Sequence, residues 1–453
     1  MGKPHILVVP LPAQGHVLPL MELSLCLAKQ GLRVTFVNSE FIHERLVNAL
    51  MERDNLGDQF RLVSIPDGLT DADRIIPGKL SEAIWGIMGE KLEELIGMIK
   101  RAGDDVSCVV ADRGVGSALE VAAKMGIRRA AFCPTAAIIT PLVFSIPKLI
   151  NDGIIDNEGT PIKGQEIQFL PTNIPAINTK DFPWVWNGNL TMQKHLFKLI
   201  VRNNEAVKKA DWLICNSAYD LEPSAFALAP EIIPVGPLLA RNRLGNSAGS
   251  LWPEDSTCLK WLDQHPPCSV IYVAFGSMTI FNEKQFKELA LGLELSNMPF
   301  LWVVRPNSID CTKVAYPEGF QDRIAYRGKI VGWAPQQKVL SHPSVACFLS
   351  HCGWNSTIEG VSNGVSFLCW PYSVDQFLNE RYISDVWKVG LGFNPDERGI
   401  ITREEIKHKV EQLLGDENFR IRASNLKESA MNCVREGGSS YNNLQRFIQW
   451  LKA

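Results

Sequence analysis

Two successive series of alternating strand and helix patterns constrain the fold of this 453-residue chain more than any other feature. In the first half, short apolar and β-branched runs lie at 5–10, 33–38, 60–65, 107–111, 129–133 and 212–216, and amphipathic stretches lie at 18–30, 41–53, 81–101 and 115–125. Such alternation predicts parallel strands joined by crossover helices. The first half is therefore predicted to form an open α/β sheet.

The second half repeats this alternation. Its strand patterns lie at 269–275, 300–305, 329–332, 345–350 and 366–370, and its helical patterns lie at 282–296, 355–362, 375–387 and 402–414. A polar segment rich in Gly and Ser at 241–257 separates the two series and is typical of a linker. We predict a first domain at 1–240 and a second at 258–436. Open α/β sheets bind ligands at the carboxyl ends of their strands, so we expect the site in a cleft between the two domains.

The composition is that of a globular protein, with 46% hydrophobic and 21% charged residues, which excludes disordered, collagen-like and coiled-coil chains. The formal net charge of −3 gives no reason to expect nucleic acid or an anionic membrane as a partner. The 11 cysteines are scattered through apolar runs without a CxxC pair. We therefore expect reduced thiols and a cytoplasmic location. The chain enters its first predicted strand without a signal-peptide layout.

Two further segments bear on the class of protein. Residues 130–147 carry no charge but are interrupted by prolines, so they predict a buried strand followed by a helix rather than a membrane span. Residues 151–190 are rich in Pro, Asn and Gly and carry Phe182, Trp184 and Trp186. A stretch of this length without a clear pattern predicts a long functional loop or lid.

A histidine and an aspartate follow two predicted strands of the first half. His16 lies at or near the start of a helix, whose positive end disfavours the imidazolium, so we expect a mainly neutral imidazole suited to a general base. Asp112 directly follows an apolar strand. A carboxylate there could accept the imidazole N–H and fix its tautomer. Helix capping by Asp112 and a structural role for His16 are the alternatives.

Residues 333–376 are the densest cluster of polar and aromatic residues. Trp333 follows a strand and offers a flat face to an aromatic base. The run SHCGWNS at 350–356 follows an apolar strand and opens a helix. Gly353 allows close backbone approach there, and Asn355 and Ser356 supply donors at a helix N-terminus, which suits a phosphate or pyrophosphate.

Three more polar side chains complete this cluster. Glu359, one turn into the same helix, could accept two hydroxyl groups of a ribose. Asp375 and Gln376 open the next helix and could together bind several sugar hydroxyls. The residues thus indicate a site for a nucleotide carrying a sugar.

The segment 333–376 resembles the signature box of plant secondary-product UDP-glycosyltransferases, and the similarity extends to His16 and to the Phe-Gly-Ser run that ends at Ser277. The resemblance implies the GT-B fold, an α/β architecture of two Rossmann-like domains with parallel sheets facing a central cleft. The first domain would bind the acceptor and the second the UDP-sugar. The C-terminal helix, at 437–453, would pack back on the first domain.

The resemblance also implies a role for each candidate residue. His16 would be the base that deprotonates the acceptor hydroxyl, with Asp112 behind it. The implied donor-binding residues are Trp333 and Ala334 for uracil, Gln336 and Glu359 for ribose, Ser277, His351, Gly353, Asn355 and Ser356 for the diphosphate, and Trp354, Asp375 and Gln376 for the sugar. Gln376 resembles the glucose-using members, whereas galactose users often carry His there.

We therefore predict an inverting UDP-glucose-dependent glucosyltransferase that forms a β-glucoside on a hydroxyl of a small lipophilic plant metabolite, such as a phenolic, flavonoid or terpenoid. UDP-glucose would be a co-substrate, with no further cofactor and no metal. The Asp-x-Asp sequence at Asp71 and Asp73 lies far from the signature box and is interpreted as solvated charge. The protein is expected to act as a monomer on small molecules.

Other functions remain open from the residues alone. The same fold could use a different donor sugar or form a C-glucoside, because one base could activate a phenol for ring attack. The glycines Gly114 and Gly116 after a strand mimic the start of a dinucleotide fingerprint, the one feature in favour of an NAD(P)-dependent oxidoreductase. A non-catalytic nucleotide-sugar sensor is the third alternative.

Overall fold

The chain divides into two compact units. The computed structural model describes residues 3–50, 59–74, 76–168, 176–186, 188–238, 251–305 and 316–453, the side chains of 48–50 excepted. The first unit comprises Met1–Leu251, Ser373–Asp375 and Met431–Ala453, and the second comprises Trp252–Tyr372 and Gln376–Ala430. Most of the predicted linker, at 241–250, lies outside the described residues.

The first unit contains a seven-stranded parallel sheet. Its strands and those of a small hairpin are β1 (His5–Val9), β2 (Arg33–Ser39), β3 (Phe60–Ile65), β4 (Val106–Asp112), β5 (Arg128–Cys133), β6 (Glu166–Ile167), β7 (Ile177–Asn178), β8 (Trp212–Cys215) and β9 (Ile232–Pro234). The order across the sheet is β3-β2-β1-β4-β5-β8-β9, and β6 pairs with β7 alone. The predicted parallel sheet is confirmed, and β9 is an additional short edge strand.

Helices connect these strands. They are α1 (Gln14–Lys29), α2 (Glu40–Leu50), α3 (Asp71–Arg74), α4 (Lys79–Trp85), α5 (Ile87–Arg101), α6 (Gly116–Lys124), α7 (Ile139–Phe144), α8 (Ile146–Asn151), α9 (Leu190–Val207) and α10 (Pro223–Leu228). The single helix predicted at 81–101 is wrong, because Gly86 leaves the helical conformation and separates α4 from α5. Helix α1 begins four residues earlier than predicted, so that His16 lies in its first turn.

The second unit contains a six-stranded parallel sheet. Its strands are β10 (Val270–Ala274), β11 (Phe300–Val303), β12 (Gly328–Val331), β13 (Val345–Ser350), β14 (Ser366–Cys369) and β15 (Gly390–Gly392). They lie in the order β12-β11-β10-β13-β14-β15. Strand β15 was not predicted, because two of its three residues are glycine and its pattern is too short to read.

Helices also cover this second sheet. They are α11 (Thr257–Leu262), α12 (Glu283–Leu295), α13 (Phe320–Ile324), α14 (Gln336–Leu340), α15 (Trp354–Asn363), α16 (Gln376–Arg381), α17 (Arg403–Gly415) and α18 (Glu417–Val434). The helix predicted at 375–387 is an α-helix only in its first part, since Tyr382–Val386 forms a π-helical turn. The side chains of Asn282 and Thr402 cap α12 and α17 by accepting backbone N–H bonds.

Two of the aromatic residues of the 151–190 segment, Phe182 and Trp184, belong to the core of the first unit. Trp184 is fully buried, and its indole N–H donates to the carbonyl of Gly159 at 2.8 Å. Its ring lies 4.7 Å from that of Phe182 and 5.6 Å from that of Phe197. These contacts hold the segment against helix α9 within the first unit.

The last helix, α19 (Ser439–Lys452), belongs to the first unit. Its buried Leu444, Phe447, Ile448 and Leu451 join the same apolar cluster as the central strands β1, β2 and β4. The Arg128 guanidinium in β5 donates to the carbonyl of Trp450 at 2.7 Å and lies 5.0 Å from its ring. Helix α19 is therefore an integral part of the first unit's core.

The cysteines in the described part of the chain are free thiols, and most of them are buried. No disulfide joins the ten cysteines there, and eight of them are buried. Burial raises the pKa of Cys108 and that of Cys347 to about 12, so both stay protonated at neutral pH. Among the helices of the described residues, none is long and apolar enough to cross a membrane.

Truncation of Phe447 tests the contribution of helix α19 to the first unit. Phe447 is fully buried, and its ring lies 5.4 Å from that of Trp212. We expect Phe447→Ala to lower the free energy of unfolding by about 3–5 kcal/mol because it leaves a cavity. Arg446→Ala, on the exposed face of the same helix, is the control and should change it by less than about 0.5 kcal/mol. Equal effects in urea unfolding would show that α19 is not part of this core.

Candidate active site

The parallel pairing of two neighbouring strands brings His16 and Asp112 together in the first unit. Strands β1 and β4 pair with Val9 opposite Ala111, so Asp112 ends beside the turn that leads into α1. The Nδ1 atom of His16 lies 2.8 Å from Oδ2 of Asp112. The Asp112 side chain is fully buried, whereas that of His16 keeps 28% of its exposure. The imidazole therefore has one nitrogen on a buried carboxylate and a partly accessible face.

The second oxygen of Asp112 fixes the direction of the carboxylate. Oδ1 accepts the backbone N–H of Gly114 at 2.7 Å. A Cβ atom at position 114 would lie only 3.1 Å from this oxygen, so glycine allows the chain to pass closely over it. Because Nδ1 faces Asp112, the tautomer that donates to the carboxylate leaves the lone pair on Nε2. Nε2 is the nitrogen available to take a proton from another molecule.

The pKa of His16 shifts in the direction opposite to the sequence-based expectation. Burial of the imidazole lowers its pKa, but the charge and hydrogen bond of Asp112, with a smaller contribution from Asp375, raise it more. The net pKa lies above the ordinary value of 6.5. The start of α1 was expected to disfavour the imidazolium, and the nearby carboxylate outweighs that effect.

Removal of the Asp112 charge should reverse this shift. In Asp112→Asn an amide still faces Nδ1 but the negative charge is gone, so we expect the pKa of His16 to fall. The pair should also add stability that is present below pH 6.5 and is lost as the pH rises through the native pKa of His16. An NMR titration of the imidazole measures the pKa. Asp71→Asn, whose side chain is 96% exposed, is the matched control, and a pKa equal to wild type in Asp112→Asn would contradict the assignment.

In the second unit, the candidate site forms where three neighbouring strands end. Strands β11, β10 and β13 are adjacent, and Ala274 pairs with Ser350. His351 follows β13 and lies against two glycines, because a Cβ at Gly276 or at Gly353 would come within 2.5 Å of its Nε2. Gly276 also has a φ of +65°, which favours glycine. The two glycines therefore let two backbone segments close around one imidazole.

His351 is held in its neutral form. Its pKa is lowered to about 4, chiefly by burial and also by the charge of Arg305, against the opposing effect of a backbone hydrogen bond with Ala274. The Arg305 guanidinium, at the end of the predicted strand 300–305, donates to the carbonyl of Thr279 at 2.6 Å. Arg305 was not predicted as a functional residue. The available signal was a single cation at the end of an apolar strand.

The turn between His351 and helix α15 prepares the start of that helix. Cys352 adopts a left-handed φ of +62°, and its carbonyl accepts from the Asn379 side chain at 2.9 Å. Within the described residues no side chain caps α15, which begins after Gly353 and has no acidic residue in its first turn. Backbone N–H groups and a positive helix end are thus gathered at Asn355 and Ser356, an arrangement suited to an anion.

A buried network surrounds Glu359 on the same helix. Gln336 donates from Nε2 to Glu359 at 2.5 Å and to the hydroxyl of Ser356 at 2.9 Å, and its Oε1 accepts from the Tyr272 hydroxyl at 3.1 Å. Gln337 approaches the other oxygen of Glu359 at 3.4 Å. Burial raises the pKa of Glu359 to about 7, although the two glutamine hydrogen bonds lower it. The structure thus brings together Gln336, Ser356 and Glu359, which the sequence placed in one site.

The remaining candidate residues of the second unit differ in accessibility. Trp333 is half-buried with its carbonyl bound to the N–H of Asp255 at 2.9 Å, while Ala334 beside it is buried. Ser277 is half-buried after β10. Trp354 is 3% exposed and packs 6.3 Å from the ring of Trp387, as a core residue does.

Asp375 and Gln376 are adjacent in sequence but belong to different units. Asp375 belongs to the first unit, where its charge contributes to the raised pKa of His16. Gln376 belongs to the second unit and accepts the N–H of Tyr372 on Oε1 at 2.7 Å. The sequence treated them as one pair.

No part of the described chain offers a cluster of three or more His, Cys, Asp and Glu side chains able to hold a metal ion. The Asp-x-Asp sequence lies at the start of short helix α3, where Asp73 accepts the hydroxyl of Thr70 at 2.6 Å. Asp71 points into solvent with 96% of its side chain exposed.

A methyl group at Gly353 tests whether close approach to His351 determines this site. Gly353 has a φ of −59°, which alanine adopts freely, so Gly353→Ala adds only the contact with the imidazole. We expect the free energy of unfolding to fall by about 1–3 kcal/mol and the NMR signals of His351 to shift. Gly332→Ala is the matched control, since a Cβ there meets nothing within 4 Å. Unchanged His351 signals in Gly353→Ala would refute this geometry.

The fold is the GT-B fold of glycosyltransferases, built from two Rossmann-like domains. The family model for UDP-glucoronosyl and UDP-glucosyl transferase matches residues 192–431. The chain belongs to this family and is a UDP-glycosyltransferase.

Full-length relatives agree with this assignment. The chain is 47% identical to UDP-glycosyltransferase 83A1 of Arabidopsis thaliana over 468 residues, which cover 100% of this chain and 98% of that relative. It superposes on a UDP-glucosyltransferase from Polygonum tinctorium, capable of glucosylating indoxyl, with a TM-score of 0.84, 29% identity and coverage of 100% of each chain. Os79 from O. sativa, solved in complex with UDP, gives a TM-score of 0.83 at 28% identity over 98% of this chain and 100% of Os79.

Proposed function

We propose that the protein transfers glucose from UDP-glucose, with inversion, to a hydroxyl group of a small lipophilic metabolite. The observation that carries this proposal is the 2.8 Å contact between His16 and a fully buried Asp112. A hydroxyl group is a weak nucleophile, so transfer to it requires a base at this point.

In the proposed mechanism His16 and Asp112 act together as a hydrogen-bonded pair. Asp112 accepts the Nδ1–H of His16, which directs the lone pair of Nε2 towards the acceptor hydroxyl. As the hydroxyl oxygen attacks the anomeric carbon, its proton moves to Nε2, and the negative charge of Asp112 stabilises the imidazolium that forms. The same stabilisation of the imidazolium by Asp112 raises the pKa of His16 above its ordinary value.

The donor would bind the second cluster. We assign uracil to Trp333 and Ala334, and ribose to Glu359 beside Gln336. The diphosphate would meet Ser277, His351, Gly353, Asn355 and Ser356, and the sugar would meet Trp354, Asp375 and Gln376. Neutral His351 can donate a hydrogen bond to a phosphate oxygen, and the N-terminus of α15 adds positive potential.

The leaving group and the stereochemistry follow from these roles. The bond between the anomeric carbon and the diphosphate oxygen breaks as the bond to the acceptor oxygen forms. N–H donors at a helix start stabilise the departing diphosphate in the way that preorganised dipoles stabilise other developing anions. Attack opposite the leaving UDP converts the α-linked donor into a β-glucoside. Gln376 supports glucose as the transferred sugar, and the small acceptor of the Polygonum tinctorium relative supports a small lipophilic acceptor.

A UDP-release assay with UDP-glucose and a panel of hydroxylated acceptors tests the proposal. We expect His16→Ala to lower the transfer rate by about 10²–10⁴-fold, because general-base catalysis is lost, while UDP affinity stays within twofold. His408→Ala, an exposed histidine of the second unit, is the matched control and should retain full activity. A near-wild-type rate of His16→Ala on an acceptor that is glucosylated at oxygen would contradict the assignment of His16 as the base. A product linked through carbon would show that the protein is a C-glucosyltransferase instead.

A further inference from the structure

An arginine for which the described part of the chain offers no carboxylate partner lies next in sequence to Asp112, the partner of the candidate base. Arg113 follows Asp112 and is half-buried. Its Nη1 donates to the Thr140 hydroxyl at 2.9 Å, and its Nη2 donates to Oδ1 of Asn204 at 3.2 Å. Thr140 is fully buried and Asn204 is 4% exposed, so the guanidinium reaches into the interior of the first unit.

Within the described residues, the hydrogen-bond partners of this guanidinium are uncharged. The thiol of Cys133, whose pKa is raised by burial, is a third neutral neighbour. Asp112 is adjacent in sequence, but its two oxygens are engaged by His16 and by the N–H of Gly114. Among the residues that the structure describes, no carboxylate forms an ion pair with Arg113. Burial of a cation without a paired anion is costly, and such a cation is a strong binding site for one.

Arg113 and His16 share one edge of the sheet. Arg113 directly follows β4, Thr140 lies in α7 after β5, and His16 follows β1, all at the carboxyl ends of adjacent parallel strands. The Arg113 charge is close enough to lower the pKa of His16 against the effect of Asp112. A molecule whose hydroxyl reaches Nε2 of His16 therefore lies in the field of a second, cationic group.

We propose that Arg113 binds a carboxylate on the acceptor, so that the preferred acceptors are hydroxylated carboxylic acids. The inference rests on the proposed function, because it takes His16 as the group that meets the acceptor hydroxyl. Thr140 and Asn204 each use one of the five N–H hydrogens of the guanidinium, which leaves donors for a carboxylate oxygen. The carboxylate held by Arg113 is the recognition group, and the hydroxyl oxygen is the atom that bonds to the sugar.

Arg113 could instead be only a brace that joins β4 to α7 and α9 through Thr140 and Asn204. The two roles predict different measurements. A brace lowers stability and affects every acceptor equally when it is removed. A carboxylate site affects acidic acceptors selectively.

Matched pairs of acceptors separate the two roles. The probes are 4-hydroxybenzoic, 4-hydroxyphenylacetic and 4-hydroxycinnamic acids and their primary amides, which keep the phenol but lose the negative charge. Binding to the full-length protein is measured by calorimetry, and transfer is measured by UDP release with UDP-glucose. For wild type we expect at least one acid to bind tenfold or more tightly than its amide. We expect Arg113→Gln to abolish that preference while the affinity for the amide stays within twofold, and Arg113→Lys to retain part of it.

The outcomes distinguish this inference from the proposed function. Acid-selective binding that depends on Arg113 supports the carboxylate site even if no glucose is transferred, in which case the proposed function alone fails. Equal loss of acid and amide binding in Arg113→Gln identifies a brace and overturns the inference. A wild type that binds no acid more tightly than its amide also overturns it, whatever its activity.

Discussion

The hydrogen bond between His16 and Asp112 is the interaction on which the proposed chemistry of the first unit depends, and the register of strands β1 and β4 creates it. Because β1 and β4 are adjacent and parallel, residues distant in sequence end at one edge of the sheet. Gly114 then lets the chain fold over the carboxylate and use its second oxygen. Full burial makes the charge of Asp112 effective, since little solvent screens it.

In the second unit the electrostatic environment shifts the pKa of a histidine in the opposite direction, downwards. The histidine of its candidate site, His351, is kept neutral by burial and by the cation Arg305, with a pKa lowered to about 4. Glycines at 276 and 353 let the backbone enclose the ring so closely that a side chain would collide with it. The same side-chain type is thus made more basic by a carboxylate in one unit and less basic by burial and an arginine in the other.

Sequence patterns predicted the parts of the fold that depend on long periodic segments. They did not predict the parts that depend on single residues or on contacts between distant segments. The strands around His16 and His351 were readable because β-branched runs alternate with amphipathic helices. The break at Gly86 and the glycine-rich strand β15 were not, because single residues and tertiary pairing determine them. The sequence placed Trp184 in a long loop without fixing its environment, and its burial against Gly159 depends on tertiary packing. The predicted direction of the pKa shift of His16 was wrong, because the contact with Asp112 could not be weighed against the helix end. Arg113 was not assigned a role, because its partners Thr140 and Asn204 are distant in sequence.

In the proposed reaction, an acceptor oxygen activated by His16 displaces UDP directly from the anomeric carbon of UDP-α-glucose. The most direct measurement is the anomeric configuration of the purified product, read by proton NMR from the coupling between the anomeric proton and its neighbour. Direct displacement predicts a large coupling, that of a β-glucoside, for the wild-type enzyme. A small coupling, that of an α-glucoside, would mean retention of configuration and would contradict direct displacement by an acceptor held at His16.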